Sequence, residues 1–259
     1  MSDAYAEING RPADADNLRI PALTGNYGHF SALQVRGGRV RGLALHLARL
    51  DAATREIFGP GLDGERVRAL VRQALKASGA EDASTRVYVY GPDDDPTVMV
   101  TVRPPQDLSP EPQRLLSVPY ERPAAHLKHL GGFGQLYFGK KAVREGYTDA
   151  LLTGPGGEIA EGSVTNIAFW DGSSVVWPDR PALLGITMAL VEARLPQYGT
   201  ATVRRPVTLD GLGAYRAAFV TNSQGIAPVA AVDAHEFTVD AELMQTVWRL
   251  YAEVPWDEI

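Results

Sequence analysis

Residues 105–125, PQDLSPEPQRLLSVPYERPAA, break the chain into two patterned halves. Proline stands at 105, 110, 112, 119 and 123, and proline neither donates to a sheet ladder nor continues a helix. The stretch therefore reads as a connection between two α/β parts, residues 1–120 and residues 121–259. No run of regular βαβ units accompanies it, so mixed sheets are expected and a doubly wound parallel sheet is not.

The first part alternates period-2 and helical segments. Tyr5–Ile8 and Ser31–Arg36 read as strands, and GGRV (37–40) supplies a hairpin turn. LALHLARLDAATREIF (43–58) carries Leu43, Leu47, Leu50 and Ile57 at helical spacing and stops at Gly59. ERVRALVRQALKASG (65–79) repeats that pattern. The strands RVYVY (86–90) and TVMVTVRP (97–104) flank GPDDDP (91–96), whose three consecutive aspartates lack the interleaving of a calcium loop. The second part opens with a helix near 134–145 and a strand at 149–153. Further strands are expected at 174–177, 217–222 and 226–232, with helices from about 184, near 208–215 and over 240–253.

Several classes of function are excluded early. The chain has no cysteine, so disulfides, thiolate catalysis and thiolate-bound metals are absent. A net charge of -6 without a basic block argues against nucleic acid as a partner. The beginning, MSDAYAEINGRPADADN, has no apolar core of a secretory signal, and no apolar run is long enough for a membrane span, so the cytoplasm is the expected location. His126 and His129 are close, but without a third ligand nearby no metal site is expected. GGFGQLYFG (131–139) fails the spacing of a nucleotide loop.

Lysine is scarce, occurring only at 76, 128, 140 and 141. Lys76, Lys140 and Lys141 fall on helices, where solvated positions are the ordinary reading. Lys128 sits between Leu127 and Leu130, and an amine in apolar surroundings suits imine chemistry with a carbonyl. Glu161 also stands out, in GGEIAEGSVTNIAFW (156–170), among the apolar Ile159, Val164, Ile167, Ala168 and Phe169. A buried carboxylate needs a cation or proton donor.

The order HLARL (46–50), Lys128, Glu161, Asn166, LLGIT (183–187) and TNSQG (221–225) resembles the class IV pyridoxal-phosphate enzymes. These include branched-chain aminotransferases, D-amino acid transaminases, (R)-selective amine transaminases and aminodeoxychorismate lyase. The resemblance covers nearly the whole chain. It implies a two-domain fold with pyridoxal 5'-phosphate between the domains, and a homodimer. It puts Lys128 at the Schiff-base position, as both aldimine amine and proton carrier, and Glu161 at the pyridine nitrogen. Arg49, Ile186, Thr187 and Ser223 fall at phosphate-binding positions, and Asn166 is a cofactor-side residue expected to hold the turn after Glu161. Phe30, Tyr90 and Arg122 are candidates for the substrate side.

The pattern departs in places. After Asn166 the family's aromatic residue is expected at 168, where this chain has Ala168, with Phe169 one place later. Met188 replaces a basic residue after GIT, and Tyr90 stands near where D-amino acid transaminases carry a substrate arginine. The expected activity is amino transfer between an amino acid or amine donor and a keto acceptor. The LKHL around Lys128 resembles the lyase, which would release pyruvate and 4-aminobenzoate. A catalytically silent cofactor-binding homologue is a third reading, against which the set Lys128, Glu161 and Arg49 argues.

Overall fold

The computed structural model describes residues 4–14, 18, 26–91 and 96–259. The aspartates of the expected GPDDDP loop lie outside the described residues, as do residues 1–3 and 15–17 of the N-terminal stretch. The architecture is mixed α/β, in two compact units. One comprises Met1–Gln106, Leu127–Gly132 and Pro255–Ile259; the other comprises Asp107–His126 and Phe133–Val254.

The first unit is built on an antiparallel sheet. Its strand order is Trp256–Glu258, Arg39–Arg41, Gly28–Arg36, Ala83–Tyr90, Thr97–Arg103, Tyr5–Ile8, Arg11–Pro12. Ala83, Thr85, Val87 and Val89 alternate inward, so one face of the sheet is apolar. The helices Leu43–Phe58 and Gly64–Ser78 cover that face through Leu50, Phe58, Val67 and Val71. Asp63 caps the second helix by accepting from Glu65 N. The first helix follows Gly42, which offers no side-chain cap; Asp257, at the other end of the chain, accepts from Leu43 N at 2.9 Å instead.

The sequence placed a domain boundary near residue 120 and Lys128 beyond it. In the structure the Leu127–Gly132 segment packs with the first unit. Phe30 N donates to Lys128 O and Leu130 N donates to Gly28 O, both at 2.9 Å. Gly28 is required there, since a Cβ would meet Val89 O at 2.4 Å and Leu130 at 3.1 Å.

The second unit has a mixed sheet ordered Ala201–Arg205, Ser174–Pro178, Asn166–Trp170, Ala217–Asn222, Gly225–Val232, Gln113–Pro119, Asp149–Thr153, Ile159–Gly162. Gln113–Pro119 corrects the reading of 105–125 as a connection only. It is an interior strand, parallel to both neighbours, with Leu115 and Val118 buried. Its prolines cost nothing, because Pro112 precedes the strand and Pro119 ends it. The helices Ile186–Arg194 and Ala241–Ala252 pack on one face through Val191, Met244, Val247 and Leu250.

This layer accounts for the displaced aromatic. Ala168 faces the helices and pairs with Phe219, and Phe219 packs edge-to-face on Trp177 at 5.7 Å. Those two buried rings fill the volume, and a large side chain at 168 would overpack it. Phe169 points to the opposite face, against Tyr215 at 5.1 Å. Met188, where a basic residue was expected, is buried in the helix-side core.

Candidate active site

On the first unit, strand alternation sends Phe30 to the sheet face away from the helices, paired with Tyr88 and stacked on it at 5.6 Å. The Lys128 ammonium lies 4.7 Å from the Phe30 ring centroid. Arg86 shares that strand face, with its guanidinium 5.6 Å from the same ring. Tyr90 ends the strand, buried, with its hydroxyl lacking a protein partner. Burial raises that phenol above its usual range.

Arg49 projects from the Leu43–Phe58 helix. Its Nη2 donates to Ser31 Oγ at 2.6 Å, and Ser31 Oγ lies 2.7 Å from His46 Nδ1. Arg49 Nε is buried with no partner. Burial lowers the guanidinium to about 10. Burial also pushes His46 well below its usual range, and the charges of Arg49 and Lys128 push it further. His29 is lowered to about 4 by burial and then by Arg49. The region is thus strongly cationic, with His29 and His46 pushed toward the neutral form.

On the second unit, Glu161 sits buried on the Ile159–Gly162 strand. It accepts from Arg122 Nε at 2.9 Å and from Leu183 N at 3.1 Å. Arg122, considered on the sequence for the substrate side, is buried in this ion pair, and its Nη2 also donates to Ala125 O. The backbone turns there through Ala124 at φ 45°, a left-handed conformation that costs a non-glycine residue about 1–2 kcal/mol.

Asn166 does not brace the turn after Glu161. Its Nδ2 donates to Leu183 O at 2.7 Å, so Glu161 and Asn166 hold the two sides of the Leu183 residue. Gly185 follows, and a Cβ there would lie 2.0 Å from Asn166 Oδ1. The turn after Glu161 is held by Asp149, which accepts from Ser163 Oγ. Burial raises the Asp149 carboxyl, against the opposing pull of its hydrogen bonds.

Ile186 and Thr187 open a helix whose N-cap, Gly185, makes no side-chain bond to the first amides. Thr187 Oγ1 donates to Asn222 O at 2.7 Å, tying the helix to the Asn222–Gly225 hairpin turn that carries Ser223. Ser31, His46 and Asp149 were missed on the sequence. A serine in a strand, a histidine in an apolar helix face and an acid starting a strand give no local signal.

The family model for class IV amino-transferases matches residues 28–232. No curated protein sequence matches the chain. Among solved structures, the fold IV-transaminase CpuTA1 of Curtobacterium pusillum superimposes with a TM-score of 0.84 at 22% identity, over 96% of this chain and 99% of that one. A hypothetical aminotransferase from Mycobacterium tuberculosis in its PLP-bound form gives 0.81 at 20% identity, over 96% and 98%. A provisionally assigned 4-amino-4-deoxychorismate lyase from Legionella pneumophila gives 0.81 at 18% identity, over 90% and 93%. At these identities the likenesses establish the fold.

Proposed function

Because the chain belongs to the class IV aminotransferase family, we propose that it is a pyridoxal-phosphate enzyme that moves an amino group between an amino acid and a keto acid, with Lys128 as the amine that holds the cofactor's aldehyde. The observation that carries this reading is Arg49: a buried guanidinium whose Nε has no partner. Burying such a charge is unfavourable until an anion meets it, and a phosphate ester suits the guanidinium fork. The uncapped amides at Ile186 and Thr187 suit the same chemistry, since a helix start favours negative charge. The Arg49 guanidinium and the uncapped helix start, each within its own unit, therefore both suit a phosphate.

Bound pyridoxal phosphate supplies the electron sink for the pair released when a substrate Cα loses its proton. With the cofactor bound, Lys128 Nζ would be the group that takes that proton and returns it, as a general base and then a general acid. The Phe30 ring beneath the amine gives it an apolar floor and limits water there. The Glu161 carboxylate holds the proton on the ring nitrogen. The half-buried Arg86 is the cation available to a substrate carboxylate, and Tyr90, which has no charge, offers its unpartnered hydroxyl.

A second reading, elimination of pyruvate from aminodeoxychorismate, is favoured by the Leu127-Lys128-His129-Leu130 stretch. The two share Lys128 and Glu161 and differ in products. Purified protein incubated with pyridoxal phosphate should gain visible absorption, and borohydride reduction with peptide mapping should label Lys128. Label on Lys140 or Lys141, or no absorption, would overturn the assignment. Keto-acid-dependent deamination of amino acids identifies the transaminase; pyruvate and 4-aminobenzoate formed from aminodeoxychorismate identify the lyase.

A further inference from the structure

We propose that Arg122 is a positioning residue for Glu161: its guanidinium fixes the carboxylate's charge and orientation, and Glu161 alone meets the cofactor ring. The inference rests on the reading of Glu161 given above. It takes Arg122 off the substrate side, where the sequence had it as a candidate.

The ion pair is unusually sequestered. The side chains of Arg122 and Glu161 are 5% and 8% exposed, with Nε and Oε1 2.9 Å apart. A buried carboxylate without a counter-charge is costly, and a buried guanidinium equally so. Each therefore needs the other before any ligand arrives. Arg122 is further committed by its bond to Ala125 O, across the turn at Ala124. A side chain bound at Nε and at Nη2 within one compact unit cannot also swing out to follow a substrate.

The carboxylate is held from two directions. Arg122 engages Oε1, and Leu183 N engages Oε2. Leu183 is itself fixed by Asn166 Nδ2, so Arg122, Glu161, Leu183 and Asn166 form one buried network. Donors on both oxygens set the plane in which the carboxylate is presented. Removing Arg122 therefore changes both the plane and the charge balance of the group presented to the ring nitrogen, without removing that group.

The test is a double-mutant cycle read by the bound cofactor's absorption spectrum and dissociation constant, with pyridoxal phosphate as the probe. Arg122→Gln should shift the spectrum and weaken cofactor binding at least tenfold, and Arg122→Lys should recover part of both. In a Glu161→Gln background the same Arg122→Gln change should alter either quantity less than twofold. Equal effects in both backgrounds would overturn the proposal, because Arg122 would then act independently of Glu161. So would an unchanged spectrum and dissociation constant with a tenfold rise in KM for amino-acid substrates, which would return Arg122 to the substrate side. If Arg122→Gln fails to fold, the charge-free pair Arg122→Met with Glu161→Gln replaces it; it should match Glu161→Gln alone, and a further loss of cofactor binding would overturn the proposal. Should the wild-type protein gain no absorption with pyridoxal phosphate, the failure lies with the cofactor reading itself.

Discussion

Ser31 accepts a hydrogen bond from Arg49 Nη2 at 2.6 Å. The serine oxygen also lies 2.7 Å from Nδ1 of His46, a ring that burial holds neutral. The hydroxyl thus links the guanidinium to the buried imidazole, and the guanidinium is locked with Nε unpartnered. Arg49→Gln should weaken pyridoxal phosphate binding about tenfold to a hundredfold, the loss of one charge-assisted hydrogen bond worth about 1.5–3 kcal/mol. Binding of pyridoxal, which lacks the phosphate, should be unchanged. Ser31→Ala should act in the same direction, by about tenfold or less. Equal weakening of both ligands by Arg49→Gln, measured by fluorescence titration, would remove Arg49 from the phosphate site.

Gly185 has no room for a side chain. A methyl group would lie 2.0 Å from Asn166 Oδ1, and Asn166 is the group that holds Leu183 O. Gly185→Ala should therefore push Asn166 aside, release Leu183 and disturb the start of the Ile186–Arg194 helix. Overpacking of this kind costs about 1–3 kcal/mol, visible as a lowered midpoint in denaturant. Weaker retention of pyridoxal phosphate should accompany it. An unchanged midpoint would mean that the loop before the helix adjusts freely.

What could be read from the sequence follows from physical range. Period-2 alternation around Val87 and Val89 and helical spacing in 43–58 are local, so those elements were legible. Gln113–Pro119 was hidden because prolines flank only one apolar pair, Leu115–Leu116, and a lone Val118, and its strand character comes from parallel neighbours far away in sequence. Trp256–Glu258 pairs only at a sheet edge. In the site, Lys128 and Glu161 stood out as charged residues in apolar settings, and Arg49 was placed there by the family resemblance alone. Their partners did not. Arg122 is 39 residues from Glu161, and Asp257 is 214 residues from the helix start it caps; no periodicity carries such pairings. Ala168 looked anomalous until Phe219 and Trp177 were seen to fill its layer.

The Phe133–Arg144 helix leaves apolar side chains in water. Phe133 is 81% exposed, and Leu136, Tyr137 and Val143 lie exposed along the same helix. Clustered apolar exposure of this kind marks a contact surface, and a second copy of the chain is the expected occupant. Light scattering should give twice the 28.0 kDa chain mass. The double substitution Phe133→Ser with Val143→Ser should shift the protein toward monomer while leaving its circular dichroism unchanged. A wild-type monomer at micromolar concentration would rule this surface out as a dimer contact.

Acid should destabilise the protein through its buried histidines. The folded state lowers His29 from 6.5 to about 4, chiefly by burial and then by the Arg49 charge, and burial lowers His46 in the same direction. In the unfolded chain both rings take up protons near pH 6.5, while the folded chain resists. The unfolded state then binds more protons, so stability rises with pH. The contribution is fully present above pH 6.5 and is lost as pH falls from there toward 4. For His29 alone the loss reaches about 3 kcal/mol at the lower end, at about 1.4 kcal/mol per unit of separation. His29 Nε2 has a defined role to preserve, because Thr54 Oγ1 donates to Leu50 O and so must accept from the ring. His29→Gln can supply that donor without a titrating group. The variant should lose less stability between pH 6.5 and 4.5 than the wild type, in urea melts taken at each pH. Parallel loss in the two proteins would place the acid sensitivity elsewhere.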